Sequence, residues 1–158
     1  MRKSYIQISS PLKQLCEEAG IEATRENLIA LGTRLASKHG DGYLAEHILR
    51  NERERERVII TGMRQLGQIA VLRSSSDLTL LSVDADPHIR FERVGNNGKL
   101  GEATTIEDFL QREKAENSPP NAQRLFECMR LADHHLTNNG SLDEIHAQLD
   151  EIFTSSSG

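Results

Sequence analysis

The chain has 158 residues, of which 37% are apolar and 27% charged, and its formal net charge is −5. This length predicts one domain with a modest core, and the negative charge argues against a dedicated nucleic-acid surface. No apolar run approaches the roughly 20 residues that span a bilayer, and Met1–Tyr5 lacks the apolar stretch of a signal peptide. The two cysteines have no paired spacing, which suits a reducing cytoplasm. From the charge and the lack of a long apolar run, we expect no nucleic-acid or membrane partner.

The first third of the chain predicts a short strand followed by three helices. Apolar and polar residues alternate over 5–8, which favours a strand. Ser10 and Pro11 mark the start of a helix, since a capping side chain precedes a residue that suits the first helical position. Thr24 caps a longer helix that Gly40 closes, and residues 43–48 form a third apolar helical face.

The most informative stretch is Val58–Arg64. Its three β-branched residues without polar alternation predict a strand that is buried on both faces. Gly62 permits a sharp turn at the carboxyl end of this strand, which is the edge where ligands bind in open α/β sheets. Arg64 lies at this edge, where its guanidinium is suited to hold a phosphate by two parallel hydrogen bonds. A plain strand with a solvated arginine is the alternative.

The rest of the chain alternates helices and strands. Strands are predicted at 78–83 and 134–138. Helices are predicted at 65–73, from Asp86-Pro87, from Thr104 or Thr105 to 116, from Asn121 to 132, and from Ser141 onward. This alternation predicts a parallel sheet with helices on both of its faces. We expect a single α/β domain over 1–154 and a disordered tail over 155–158.

Four cations surround a loop with three glycines at 95–101. They are Arg90, Arg93, Lys99 and Arg112. Mobile cations over a cleft neutralise charge on a transferring phosphoryl group, so we interpret 90–117 as a lid segment. An exposed loop with ordinary surface charges is the alternative. We predict no metal site, because the adjacent His134 and His135 point to opposite faces of a strand.

The order of these segments resembles the P-loop small-molecule kinases. The resemblance is carried by Val58–Arg64 and by three further stretches: Ser-Val-Asp-Ala-Asp-Pro-His-Ile-Arg-Phe-Glu-Arg at 82–93, Glu-Asp-Phe-Leu-Gln-Arg-Glu at 107–113, and Leu-Ala-Asp-His-His-Leu-Thr-Asn-Asn-Gly-Ser-Leu-Asp-Glu-Ile at 131–145. The chain looks most similar to dephospho-CoA kinase-like and nucleoside or deoxynucleoside monophosphate kinase-like proteins. The resemblance implies a three-layer parallel sheet flanked by helices, and phosphoryl transfer from Mg-ATP to a nucleotide-like acceptor.

The resemblance also assigns roles to residues. Arg90, Arg93, Lys99 and Arg112 would be catalytic lid residues that stabilise the transferring phosphoryl group. The acceptor would be bound by Arg25, Arg34 and Arg64. Asn138 and Gly140 would lie near the adenine of ATP, and ATP and Mg²⁺ would be the cofactors.

The chain departs from this pattern at its beginning. It contains no G-x-x-x-x-G-K-[ST], the loop whose backbone amides cradle phosphates, and the family's first and central strand is also missing. We therefore expect a truncated chain, direct pairing of the strands at Val58 and Leu78, or a partner chain, such as a second copy in a homodimer, that covers the open sheet edge. The chain alone would be inactive as a kinase. The alternative function is a non-catalytic protein that binds a phosphorylated ligand or a protein partner.

Overall fold

The structure is a computed structural model, and it describes residues 4–52, 58–96, 103–119 and 123–155. These residues form an α/β fold with four short strands and eight helices. The strands are β1 (Ser4–Gln7), β2 (Val58–Thr61), β3 (Leu81–Asp84) and β4 (His134–Thr137). The helices are α1 (Ser10–Glu18), α2 (Arg25–His39), α3 (Tyr43–Asn51), α4 (Leu66–Ser75), α5 (Pro87–Asn96), α6 (Ile106–Glu116), α7 (Leu125–Arg130) and α8 (Leu142–Ser155).

The strands form two parallel pairs, not one sheet. β1 pairs with β2, so that Ser4 lies opposite Val58, and β3 pairs with β4, so that Leu81 lies opposite His134. The α/β class and the parallel pairing are thereby confirmed. The three-layer kinase-like sheet is not found in the described residues, whose strands form two short two-stranded sheets.

The chain divides into two compact units. Unit 1 contains the described residues of Met1–Leu78 and Asn117–Cys128, and unit 2 contains those of Thr79–Glu116 and Met129–Gly158. Unit 1 therefore holds β1, β2 and helices α1 to α4. Unit 2 holds β3, β4, α5, α6 and α8. The prediction of a single domain over 1–154 stays a prediction.

The core of unit 1 lies on one face of the β1–β2 pair. Its buried members come from the residue after β1 and from helices α1 to α4: Ile8, Leu12, Cys16, Leu31, Leu44, Ala45, Ile48 and Leu72. Ile6 and its register partner Ile60 pack against this core. A two-stranded sheet is marginal on its own, so the helices on this face supply the apolar burial that stabilises it.

The prediction that β2 is buried on both faces is wrong. Ile59 is 56% exposed, and its register partner Tyr5 is 65% exposed. Successive side chains on a strand point to opposite faces, so only Val58 and Ile60 turn away from that exposed face. The same holds for β3, where Ser82 is buried and Val83 is 53% exposed. A run of β-branched residues favours a strand but does not specify how many of its faces are covered.

Several helix boundaries follow local signals in the sequence. The Thr24 side chain accepts a hydrogen bond from the amide of Asn27 at 3.2 Å, which caps α2 as predicted. Gly40 ends α2 with a φ of +93°, a conformation that L side chains rarely adopt. Thr105 and Ser141 accept amide hydrogen bonds at the starts of α6 and α8. The predicted cap at Asn121 lies outside the described residues.

Both cysteines are buried thiols in unit 1. Burial, followed by the negative charges of Glu127 and Asp41, raises the pKa of Cys128 from 9.0 to about 11. This thiol is therefore protonated and poorly nucleophilic near neutral pH. In the described part of the chain, no helix has the length and apolar character needed to cross a bilayer.

Candidate functional site

A cleft of about 270 Å³ opens in unit 1 at the carboxyl ends of β1 and β2. Its floor is apolar, and its rim carries hydroxyl and amide groups and one charged side chain. The lining residues are Gln7, Ile8, Ser9, Leu12, Leu28, Ile29, Gly32, Thr33, Leu44, Thr61, Gly62, Arg64, Gln65, Gln68 and Gln123. The carboxyl edge of parallel strands is where α/β proteins bind ligands, so this cleft is the candidate site of unit 1.

The sharp turn after β2 brings Arg64 to the cleft. Gly62 has a φ of +80°, which only glycine adopts without strain, as the sequence predicts. The amide of Ile8 donates to the carbonyl of Thr61 at 2.9 Å, which joins the ends of the two strands. Arg64 follows this turn and is partly buried, and it is the only charged residue among the described residues that line the cleft.

Arg64 is held at three points by polar groups. Its Nη1 donates to Oε1 of Gln123 at 2.9 Å, and its carbonyl accepts from the amide of Arg124 at 2.6 Å. Its own amide donates to Oε1 of Gln68 at 3.0 Å. Backbone and guanidinium are thus both fixed, which lowers the entropy cost of presenting a positive charge to a ligand.

Gln68 is the buried support of this turn. It is 2% exposed, and besides the amide of Arg64 its Oε1 accepts from the amide of Gln65 at 3.3 Å. Its Nε2 donates to Oε1 of Gln65 at 2.9 Å. The same pair forms the capping box at the start of α4. One buried amide therefore joins the end of the turn to the beginning of the helix.

On the strand side of the cleft, the hydroxyl of Thr61 lies 3.1 Å from that of Tyr5 and donates to it. This hydrogen bond, with a second from Gln7, lowers the pKa of the Tyr5 phenol. Thr61 thus has its hydroxyl engaged across the strand pair. A phosphate near Thr61 would compete with Tyr5 for this donor.

The three predicted acceptor residues lie in unit 1, but the cleft includes only one of them. Arg64 lines it. Arg25, at the start of α2, and Arg34, in its middle, have exposed side chains and are not among the lining residues. The residues of α2 that reach the cleft are Leu28, Ile29, Gly32 and Thr33. The acceptor roles of Arg25 and Arg34 stay predictions.

Of the predicted lid residues, Arg90 makes several contacts with other residues of unit 2. Its Nε donates to the carbonyl of Ala85 at 3.0 Å and lies 3.6 Å from Oδ1 of Asp84. Its Nη1 is paired with Glu113, which joins α5 to α6. Its guanidinium also lies 5.9 Å from the ring centre of Phe109. These contacts give Arg90 a structural role in the α5–α6 pair.

Arg93 brings the predicted adenine-side residues together. Its Nη1 donates to the carbonyl of Asn138 at 2.6 Å, and its Nη2 donates to the carbonyl of Gly140 at 3.1 Å. An adenine at this loop would compete with Arg93 for those carbonyl oxygens. The cofactor role of Asn138 and Gly140 stays a prediction.

The other two predicted lid residues are Arg112 and Lys99. Arg112 is an exposed residue of α6 and lines a shallow groove with Asp108, Gln111 and Ala115. Lys99 lies outside the described residues. Within the described ranges, no group of three or more histidine, cysteine or acidic side chains is arranged to hold a metal ion.

Sequence reasoning missed the amide side chains of the site. Gln65, Gln68 and Gln123 are all in the cleft lining, and two of them are buried. One local signal was present for the first two, since glutamines three residues apart at a helix start match a capping box. For Gln123 there was no local signal, because it lies 59 residues from its partner Arg64.

Comparison with known proteins gives related sequences but no matching family model. The chain is 31% identical over 149 residues to a UPF0200 protein of Hyperthermus butylicus, covering 93% of the chain and 78% of the relative. It is 28% identical over 124 residues to a UPF0200 protein of Staphylothermus marinus, covering 78% of the chain and 64% of the relative. A UPF0200 protein of Methanocaldococcus jannaschii is 27% identical over 140 residues, covering 86% of the chain and 69% of the relative.

These relatives overturn the assignment to the P-loop kinases. The matched proteins carry the UPF0200 name and not that of a dephospho-CoA or nucleotide kinase, and no family model supports a kinase. The resemblance depended on the order of apolar strands, turns and basic residues, which recurs in parallel α/β proteins of many families because their packing requires it. The chain is 31% identical to a UPF0200 protein, and the alignment covers 93% of the chain and 78% of that relative. The chain therefore belongs to the UPF0200 family.

Proposed function

We propose that unit 1 binds a phosphorylated, nucleotide-like small molecule in the cleft at Arg64. The observation that carries this proposal is the guanidinium at the carboxyl end of β2, positioned by Gln123 and by the backbone bonds to Gln68 and Arg124. A guanidinium matches the geometry of phosphate oxygens and forms charge-assisted hydrogen bonds with them. The apolar floor formed by Ile8 and Leu12 suits the uncharged part of such a molecule.

The size and chemistry of the cleft also support this function. Its volume of about 270 Å³ is close to the lower end of ligand pockets, roughly 300 Å³. Four glutamines line it, and two of them, Gln7 and Gln123, lie outside the buried Gln65–Gln68 pair whose side chains bond to each other. Amides both donate and accept hydrogen bonds, as the edges of bases and sugars require. We propose binding without turnover by this chain alone.

The other functional expectations stay predictions. ATP-dependent phosphoryl transfer to a nucleotide-like acceptor, with ATP and Mg²⁺ as cofactors, is one of them. A cytoplasmic location and a homodimer that covers an open sheet edge are two more. The alignments cover 64% to 78% of the relatives from Hyperthermus, Staphylothermus and Methanocaldococcus, so the activity of the whole protein is also a proposal.

The test is titration calorimetry with adenosine 5′-monophosphate, using adenosine as the probe without phosphate. We expect the monophosphate to bind more tightly than adenosine, and Arg64→Ala to weaken its binding by about 1.5–3 kcal/mol, the value of a hydrogen bond to a charged group. Arg50→Ala is the matched control, because Arg50 is an exposed arginine of α3 outside the cleft lining. Equal affinities of Arg64→Ala and the unchanged protein would refute the proposal.

A further inference from the structure

The contact between Gln123 and Arg64 links two distant parts of the sequence at the edge of the cleft. Both side chains line the cleft, and Oε1 of Gln123 lies 2.9 Å from Nη1 of Arg64. The next residue, Arg124, donates its amide to the carbonyl of Arg64 at 2.6 Å. Two consecutive residues therefore contact both ends of the same arginine.

We propose that Gln123 is a positioning residue that holds the Arg64 guanidinium in the orientation for anion binding. This inference rests on the proposed function and deepens it. An unrestrained arginine has many rotamers, and ordering such a side chain on binding lowers the affinity about twofold to tenfold. The hydrogen bond that Arg64 donates to Gln123 imposes this order before the ligand arrives.

The residue type at 123 has a second consequence. An amide oxygen accepts from a guanidinium without carrying a charge, whereas a carboxylate at the same place would form an ion pair with it. That ion pair would compete with a phosphate for Arg64. A neutral acceptor therefore restricts the direction of Arg64 without adding a negative charge to the cleft. Position and charge are two separable contributions of the same side chain.

Two substitutions separate these contributions. Gln123→Ala removes the acceptor, and Gln123→Glu retains an acceptor of the same length but adds a negative charge. Gln14→Ala is the control, because Gln14 is an exposed glutamine of α1 whose Nε2 donates to Oε1 of Glu18 on the helix surface. Gln123 is at the cleft edge and not in the core, so none of these changes removes core packing.

The experiment combines two measurements on each variant. Nitrogen-15 relaxation of the Arg64 Nε–Hε group reports the mobility of the guanidinium without any ligand, and calorimetry reports the affinity for adenosine 5′-monophosphate. We expect Gln123→Ala to raise the mobility of Arg64 and to weaken binding about threefold to tenfold. We expect Gln123→Glu to keep Arg64 immobile and still to weaken binding. A role in folding alone would not separate mobility from affinity in this way.

The outcomes distinguish this inference from the function on which it rests. If the unchanged protein does not bind the monophosphate, or if Arg64→Ala binds it equally well, the proposed function fails and the inference fails with it. If Arg64→Ala weakens binding while Gln123→Ala changes neither affinity nor mobility, only the inference is overturned. A Gln123→Glu variant that binds as tightly as the unchanged protein would overturn the role of charge neutrality.

Discussion

Replacement of Gln68 by methionine tests the support beneath the candidate site. Methionine has nearly the shape of glutamine but neither accepts nor donates strong hydrogen bonds. Gln68 is 2% exposed, so the Gln68→Met variant keeps the packing of α4 and removes only the polar contacts. The amides of Arg64 and Gln65 then lose the acceptor that they share, which lies 3.0 and 3.3 Å from them.

The expected loss of stability follows from those two amides. A buried donor left without a partner costs about 1–3 kcal/mol. The amide of Arg64 is partly buried and the bond to Gln65 is long, so we take the lower part of this range for each and expect a total of about 2–4 kcal/mol. A domain is stabilised by only about 5–15 kcal/mol, so this loss is a large fraction of the total.

Urea denaturation followed by circular dichroism measures the change in free energy of unfolding. Amide hydrogen exchange at Arg64 and Gln65 gives a local readout, and both amides should lose protection in Gln68→Met. The control is Gln14→Met, because Gln14 is exposed and bonds to Glu18 on the helix surface. We expect the control to stay within about 0.5 kcal/mol of the unchanged protein.

Two results would refute this reasoning. One is a Gln68→Met variant with unchanged stability and unchanged exchange at both amides, which would mean that water or another group satisfies them. The other is an equal loss of stability in Gln14→Met, which would mean that burial of the glutamine does not determine the effect. A changed dependence of unfolding on urea would instead point to altered compactness of one of the two states.

Three further predictions concern local structure and pH. Thr24→Ala removes the cap of α2 and should cost about 1 kcal/mol in urea denaturation, and a loss below about 0.3 kcal/mol would contradict it. The Gln148 side chain accepts from the amide of Thr137 at 3.0 Å and donates to its carbonyl at 2.9 Å. Gln148→Ala removes both bonds, so hydrogen exchange at the Thr137 amide should accelerate. Unchanged exchange would show that another group protects this amide of β4. The raised pKa of Cys128 stabilises the folded protein fully below pH 9.0, and this contribution is lost as the pH rises toward about 11. The urea midpoint should fall in that window, and by less in Cys128→Ala; identical slopes in both proteins would refute the assignment.

The local structure of this chain was largely predictable from its sequence. The Thr24 cap, the glycine ends at Gly40 and Gly62, and the strand at β2 all follow from residues within a few positions of one another. Their signals arise from backbone sterics and from short-range hydrogen bonds, which depend little on the rest of the fold. The placement of Arg64 at a strand end was predictable for the same reason.

The number of covered sheet faces was not predictable in this way. Val58–Thr61 has the composition of a fully buried strand, yet Ile59 is exposed because helices cover the face that carries Ile60. Likewise, the order of strand and helix segments suggested a kinase, although parallel α/β folds share that order without sharing a function. Burial and family therefore had to be established by the structure and by related sequences.

The sequence by itself determined the order of the strands and helices and several of their caps, and it placed a guanidinium after the turn that follows β2. Only the tertiary structure decided which groups hold that guanidinium. Gln123 reaches Arg64 across 59 residues, and Gln68 becomes buried only when α4 packs into the core of unit 1. Such contacts depend on chain folding over long distances, where burial makes each unpaired polar group costly and so selects one arrangement.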